Sequence, residues 1–141
     1  MRPLHIYIAG PYTAPTPDEV EANVMAADLI ARELAAKGHF PFCPHRQSHG
    51  WERDGRFGYE DYLRIDLAWL GRCDALFLVG RSPGADREVT EAERLGLAVW
   101  TRIEDVPPAD EEHEPLFDLM EATASRMLAY DDAMAREHIL D

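Results

Sequence analysis

Two carboxylates in this chain fall where an apolar side chain is expected. Tyr59, Tyr62, Leu63, Asp66 and Leu70 follow the spacing i, i+3, i+4, i+7, i+11, one stripe of a helix with Asp66 at its centre, and Glu60, Asp61, Arg64 and Arg72 take the other side. An inward carboxyl loses hydration, so its pKa rises toward the range of a general acid; a buried ion pair is the structural alternative. Glu88 repeats the pattern on a helix spanning residues 85–95, where it shares a face with Ala85, Val89, Ala92 and Leu95. In a helix starting at Ala85 it stands in the first turn, where free backbone N–H groups and the helix dipole favour an anion, so it is expected to stay ionised. Its plainer role is to cap the turn Ser82-Pro83-Gly84. One carboxyl driven toward neutrality beside one held ionised suits glycosidic cleavage: the acid protonates the leaving group and the carboxylate attacks the anomeric carbon. Water or another acceptor then resolves the covalent intermediate, and a retaining mechanism places the carboxyls about 5–5.5 Å apart.

Alternating strands and helices are expected to position them. Residues 4–9 read as a buried strand stopped by Gly10-Pro11. Thr16-Pro17-Asp18-Glu19 carries a capping Thr, Pro at the first helical position and Glu three residues after the cap; Val20, Val24, Ala27, Ala31 and Leu34 continue the helix to Gly38. Residues 39–43 read as a second strand and 45–57 as a long polar loop of the kind that serves as a lid. A helix over 59–70, a strand over 74–80, a helix over 85–95 and a strand over 97–101 follow. The pattern predicts an α/β domain over residues 1–103, a parallel sheet of four to five strands flanked by helices, with ligands beyond the carboxyl ends of the strands. Residues 104–141 read as a linker, Val106-Pro107-Pro108 and Asp110-Glu111-Glu112, and an amphipathic helix marked by Leu116, Met120, Ala124, Met127 and Met134. That helix is expected to pack on the same domain or at a subunit interface of a homo-oligomer.

Composition narrows the function. With 141 residues and 46% hydrophobic content the chain suits one domain. A net charge of −13 argues against a nucleic-acid polymer as partner. Residues 1–103 carry 15 acids and 12 bases, a net of −3, so a small anionic ligand remains possible there; residues 104–141 carry 12 acids and 2 bases, a net of −10. No 18-residue apolar run or signal-peptide pattern is present, which predicts a cytoplasmic protein without a membrane partner. Cys43 and Cys73 read as core thiols, and Cys43, His45 and His49 do not form a common zinc pattern. Neither metal nor cofactor is expected.

Three motifs in order, Tyr7-Ile8-Ala9-Gly10, Asp66-Leu67-Ala68-Trp69-Leu70 and Ser82-Pro83-Gly84-Ala85-Asp86-Arg87-Glu88, resemble the nucleoside 2-deoxyribosyltransferase-like superfamily from about Leu4 to Thr101. The superfamily includes the 2′-deoxynucleoside 5′-phosphate N-hydrolases. The resemblance implies a flavodoxin-like (Rossmann-like) sheet, no cofactor and a nucleoside or nucleotide substrate. It implies Glu88 as nucleophile, Asp66 as the group assisting departure of the base, and Tyr7 as a hydroxyl orienting Glu88. Gly10 and Gly84 would let backbone approach the sugar, and Pro11 and Tyr12 would line the same pocket. Ser82, at the position where nucleotide hydrolases of the superfamily carry a phosphate-holding Ser and the transferases an Asp, tilts the expectation toward a 5′-monophosphate and hydrolysis. Base exchange between nucleosides, or nucleotide binding without catalysis, are the alternatives. Pro11, Tyr12 and Thr13 depart from the hydrolase pattern, as does Asp86, so a phosphate pocket is either rebuilt from Arg81, Arg46 or Thr13, or absent. His45, Trp51 and Phe57 could close over the base.

Overall fold

The computed structural model describes residues 1–110 and 114–139 and divides at Ala109 into two compact units. The first contains four parallel strands, β1 (His5–Ala9), β2 (Phe40–Phe42), β3 (Ala75–Leu78) and β4 (Ala98–Trp100). Their spatial order, β2-β1-β3-β4, is flavodoxin-like. Because the chain leaves β1 for β2 on one side and returns to β3 on the other, β1 and β3 form the switch point. A crevice is expected beyond their carboxyl ends.

The period of two in β1 sorts the core. Ile6 and Ile8 face one side, where they pack with Phe77 of β3 and with Ala27 and Leu34 of α1 (Pro17–Ala36). Tyr7 and Ala9 face the other with Leu76, meeting Leu70 of α3 (Tyr59–Leu70) and Ala85 and Ala92 of α4 (Pro83–Arg94). Burial on both faces explains why the central strands are almost wholly apolar. α1 begins as its sequence requires: the Thr16 hydroxyl accepts from the Glu19 N–H (3.3 Å) and the Glu19 carboxylate accepts from the Thr16 N–H (3.1 Å). It ends before Gly38, whose φ of 89° is left-handed and suits glycine.

Two segments differ from the sequence reading. The stretch from His45 to Phe57 is not a plain loop: Pro44–Ser48 forms a short helix, α2, and Trp51–Asp54 a 3₁₀ turn. Pro44 sits at the first helical position of α2, and Gly50 and Gly55, both at positive φ, bracket the turn. The Val106-Pro107-Pro108 stretch is stitched to the first unit rather than linking away from it. Val106 is buried in the α1-side core, Lys37 Nζ donates to its carbonyl (3.0 Å), and His39 Nε2 donates to the Pro107 carbonyl (2.7 Å). The unit therefore runs past residue 103 to Ala109.

In the second unit α5 spans Glu114–Ile139, and its described side chains, including Met127 and Leu128, are exposed. Glu111 and Glu112 lie outside the described residues, as do the side chains of Leu116 and Met120. Among the described residues no helix is long and apolar enough to cross a membrane, and both cysteines are free thiols.

Candidate active site

β1 supplies Tyr7, α3 supplies Asp66 and α4 supplies Glu88, all on the same face of the sheet. Tyr7 pairs in register with Leu76 of β3, so it stands at the switch point, and its ring is fully buried. Glu88 is only 7% exposed, which a charged side chain tolerates only with compensation. Its Oε2 and the Tyr7 hydroxyl are buried without a hydrogen-bond partner of regular geometry. The phenol is nevertheless close enough to favour the ionised form of Glu88. Native interiors seldom leave two polar atoms so close together unsatisfied, and function is one of the standard reasons.

Burial lifts the Glu88 carboxyl from its ordinary 4.5 to about 7, reinforced by the charge of Asp66 and opposed by the Tyr7 hydroxyl. Burial alone lifts Asp66 from 3.8 to about 6. Tyr7 is pushed well above 10 by burial and then by the two carboxylates, so it remains a hydroxyl donor. The expectation that Glu88 stays ionised is corrected here. α4 starts two residues earlier than its periodicity suggests, with Ser82 as N-cap and Pro83 at the first position, which puts Glu88 in the second turn. The dipole weakens beyond the first turn, and desolvation prevails.

The glycines differ in what requires them. A Cβ on Gly10 would sit 3.2 Å from Val79 Cβ, because the ends of β1 and β3 close on each other there. A Cβ on Gly84 would meet the Tyr59 side chain, its hydroxyl at 3.7 Å and Cε2 at 3.8 Å, both ordinary contacts. Gly10→Ala is therefore expected to lower stability by about 1–2 kcal/mol. Gly84→Ala, inside a helix, is expected to raise it by up to about 1 kcal/mol. Thermal unfolding of the two variants checks the contrast, and activity lost in a stabilised Gly84→Ala protein would mark close approach of the ligand.

The remaining sequence candidates act on the walls. His45 is 6% exposed and its Nε2 donates to the Pro11 carbonyl (2.8 Å), fixing the turn after β1, and burial lowers its pKa. The Tyr12 hydroxyl is occupied by both Glu52 carboxylate oxygens (3.1 Å each) and His49 Nδ1 (3.0 Å), and His49 Nε2 in turn meets Glu21 (3.0 Å). Tyr12 thereby ties the 3₁₀ turn and α1 to the end of β1. Trp51 and Phe57 pack as a tilted ring pair (5.4 Å between centroids), and Phe57 reaches Tyr62 (6.1 Å). Tyr62, one turn before Asp66, has a buried hydroxyl without a partner, a feature that its place in an apolar stripe conceals. Ser82 Oγ accepts from the Ala85 N–H (3.0 Å), an N-cap contact.

Of the side chains that could hold a phosphate, Arg81 pairs with Asp86 and Arg46 with Asp28 (3.6 Å), while the neutral Thr13 is exposed. Cys43, His45 and His49 have separate surroundings: the Cys43 thiol packs against the α1-side core and is pushed up by burial, whereas the two imidazoles bond as described. Among the described residues no three His, Cys, Asp or Glu side chains converge to hold a metal. A groove of about 360 Å³, lined by Leu67, Asp86, Arg87, Thr90 and Glu91, runs outside the helix pair, and neither raised carboxyl lines it.

The fold and site define an α/β protein with a flavodoxin-like strand order and two desolvated carboxyls beside its switch point. The chain belongs to the DUF7768 family, a domain of unknown function whose model matches residues 4–102. No curated protein matches it.

Proposed function

We propose that the protein is a cytoplasmic N-glycosidase that splits base from sugar in a nucleoside or nucleotide through a covalent glycosyl intermediate on Glu88. The observation that carries this reading is the carboxyl pair, drawn inward from two helices on one face of the sheet and lifted to about 7 and about 6. Near neutrality such a pair holds about one proton, so one member can attack while the other protonates. A Glu88 carboxylate oxygen bonds to the anomeric carbon, the bond from that carbon to the base nitrogen breaks, and its electron pair leaves with the base. Asp66 delivers the proton that neutralises the base. Water, deprotonated by Asp66, then attacks the same carbon and releases Glu88; a second base doing so would make the reaction a transfer.

The titration order favours a second assignment, with Asp66 as nucleophile and Glu88 as acid. The Tyr7 hydroxyl supports the first, because it favours charge on Glu88, whereas burial is the sole influence on Asp66. A nucleoside fluorinated at the 2′ carbon of the sugar, which slows breakdown of the intermediate, tests this. Free base and an intact-mass increase mapped to Glu88 are expected. An adduct on Asp66 would exchange the roles, and base release without any adduct would remove the covalent step.

A further inference from the structure

The start of α4 has its anion supplied by the protein itself. Arg81, immediately before the capping Ser82, makes a two-pronged bond to Asp86 in the first turn, Nε to Oδ1 at 3.2 Å and Nη2 to Oδ2 at 3.1 Å. The backbone there has few donors left: Pro83 has no N–H, the Ala85 N–H goes to Ser82 Oγ (3.0 Å), and the Asp86 N–H goes to the Ser82 carbonyl (2.8 Å). Arg87, the next cation on α4, is turned to Glu60 (3.2 Å). A phosphate dianion at a helix start needs free N–H groups and an unneutralised cation, and here it would also meet the negative charge of Asp86.

This geometry bears on substrate choice because side chains on a helix lean toward its N-terminus, and Pro83 precedes Glu88 by about 7.5 Å along the axis. A sugar whose anomeric carbon lies at Glu88 and whose 5′ end points back along α4 meets this helix start. We infer that the site takes an uncharged nucleoside in preference to its 5′-phosphate, and that Asp86 sets this preference by holding Arg81 and placing its own charge at the helix start. The inference rests on the N-glycosidase reading and departs from the nucleotide substrate that Ser82 suggests. The pair is exposed, with side-chain exposures of 81% for Arg81 and 45% for Asp86, so its hold on Arg81 is one that a single substitution can release.

The test compares purine and pyrimidine deoxynucleosides with their 5′-monophosphates on the full chain, following free base and, in parallel, binding by calorimetry. Wild type is expected to show the higher kcat/KM and the tighter binding on nucleosides. D86N is expected to raise the monophosphate-to-nucleoside ratio about tenfold, the worth of one freed charge-assisted hydrogen bond. Adding R81A should cancel that rise; D86A serves if D86N folds poorly. A wild type that prefers monophosphates, or a ratio unmoved by both Asp86 variants, overturns the inference. No base release from any compound would sink the N-glycosidase reading instead; calorimetry then decides this one, upheld by tighter nucleoside binding and overturned by tighter monophosphate binding or by none.

Discussion

Glu88→Gln is expected to abolish base release and yet to unfold at a higher temperature than wild type at pH 8. Loss of the attacking carboxylate should lower kcat by at least about 10⁴-fold, the scale on which nucleophile removals fall. The stability gain follows from the same residue's burial. A carboxyl whose folded-state pKa, about 7, exceeds its unfolded value near 4.5 binds its proton more tightly when folded. The contribution of Glu88 to stability is therefore greatest below pH 4.5 and is lost as pH rises through 7. At about 1.4 kcal/mol per pH unit, the penalty at pH 8 is on the order of 3 kcal/mol. Glutamine carries no such charge, but its amide is also buried, and an unsatisfied amide returns about 1–3 kcal/mol of that gain. A net rise in Tm of about 3–6 °C at pH 8, shrinking as pH falls and turning into a deficit near pH 4.5, where only the amide's cost is left, is the expected profile. Calorimetric unfolding across pH checks it. An inactive variant whose Tm difference from wild type is the same at pH 4.5 and pH 8 would mean that Glu88 is not desolvated, and near-wild-type turnover would end its role as nucleophile.

The opposition of stability and activity at one residue also shows what was legible in the sequence. Helical periodicity placed Asp66 and Glu88 inward because a carboxylate among Leu, Val and Ala at three- and four-residue spacing has nowhere else to point. The Thr16–Glu19 box and the glycines after α1 and α4 marked helix ends because capping is a matter of adjacent residues. Periodicity could not locate the start of α4, since Pro83 and Gly84 add nothing to the apolar stripe, and those two residues move Glu88 from the first turn into the second, where burial raises its pKa to about 7. Residues 44–54 hide α2 and the 3₁₀ turn because five and four residues are too few to show a period. The roles of His45 and Tyr12 depend on partners distant in sequence: the Pro11 carbonyl lies 34 residues from His45, and Glu52 lies 40 from Tyr12. The sequence assigns both residues to the site region, but only packing shows that they hold its walls.

Asp66→Asn is expected to separate acid catalysis from attack. With an ordinary base as leaving group, the loss should be about 10²–10⁴-fold, the usual range for a positioned general acid. A purine nucleoside alkylated at N7 departs as a neutral base without protonation, so the same variant should lose little on it. The pH dependence supplies an independent sign. In wild type the reactive form of the pair holds one proton, so kcat/KM should rise with pH through about 6 and fall through about 7. In Asp66→Asn no acid is left to deprotonate, and the alkaline fall should vanish. The acid limb should persist, because Glu88 must still lose its proton before it can attack. Steady-state rates on both substrates from pH 4.5 to 9 provide the check. An equal loss on both leaving groups would assign Asp66 to positioning, and a retained alkaline limb would place the working proton on another group.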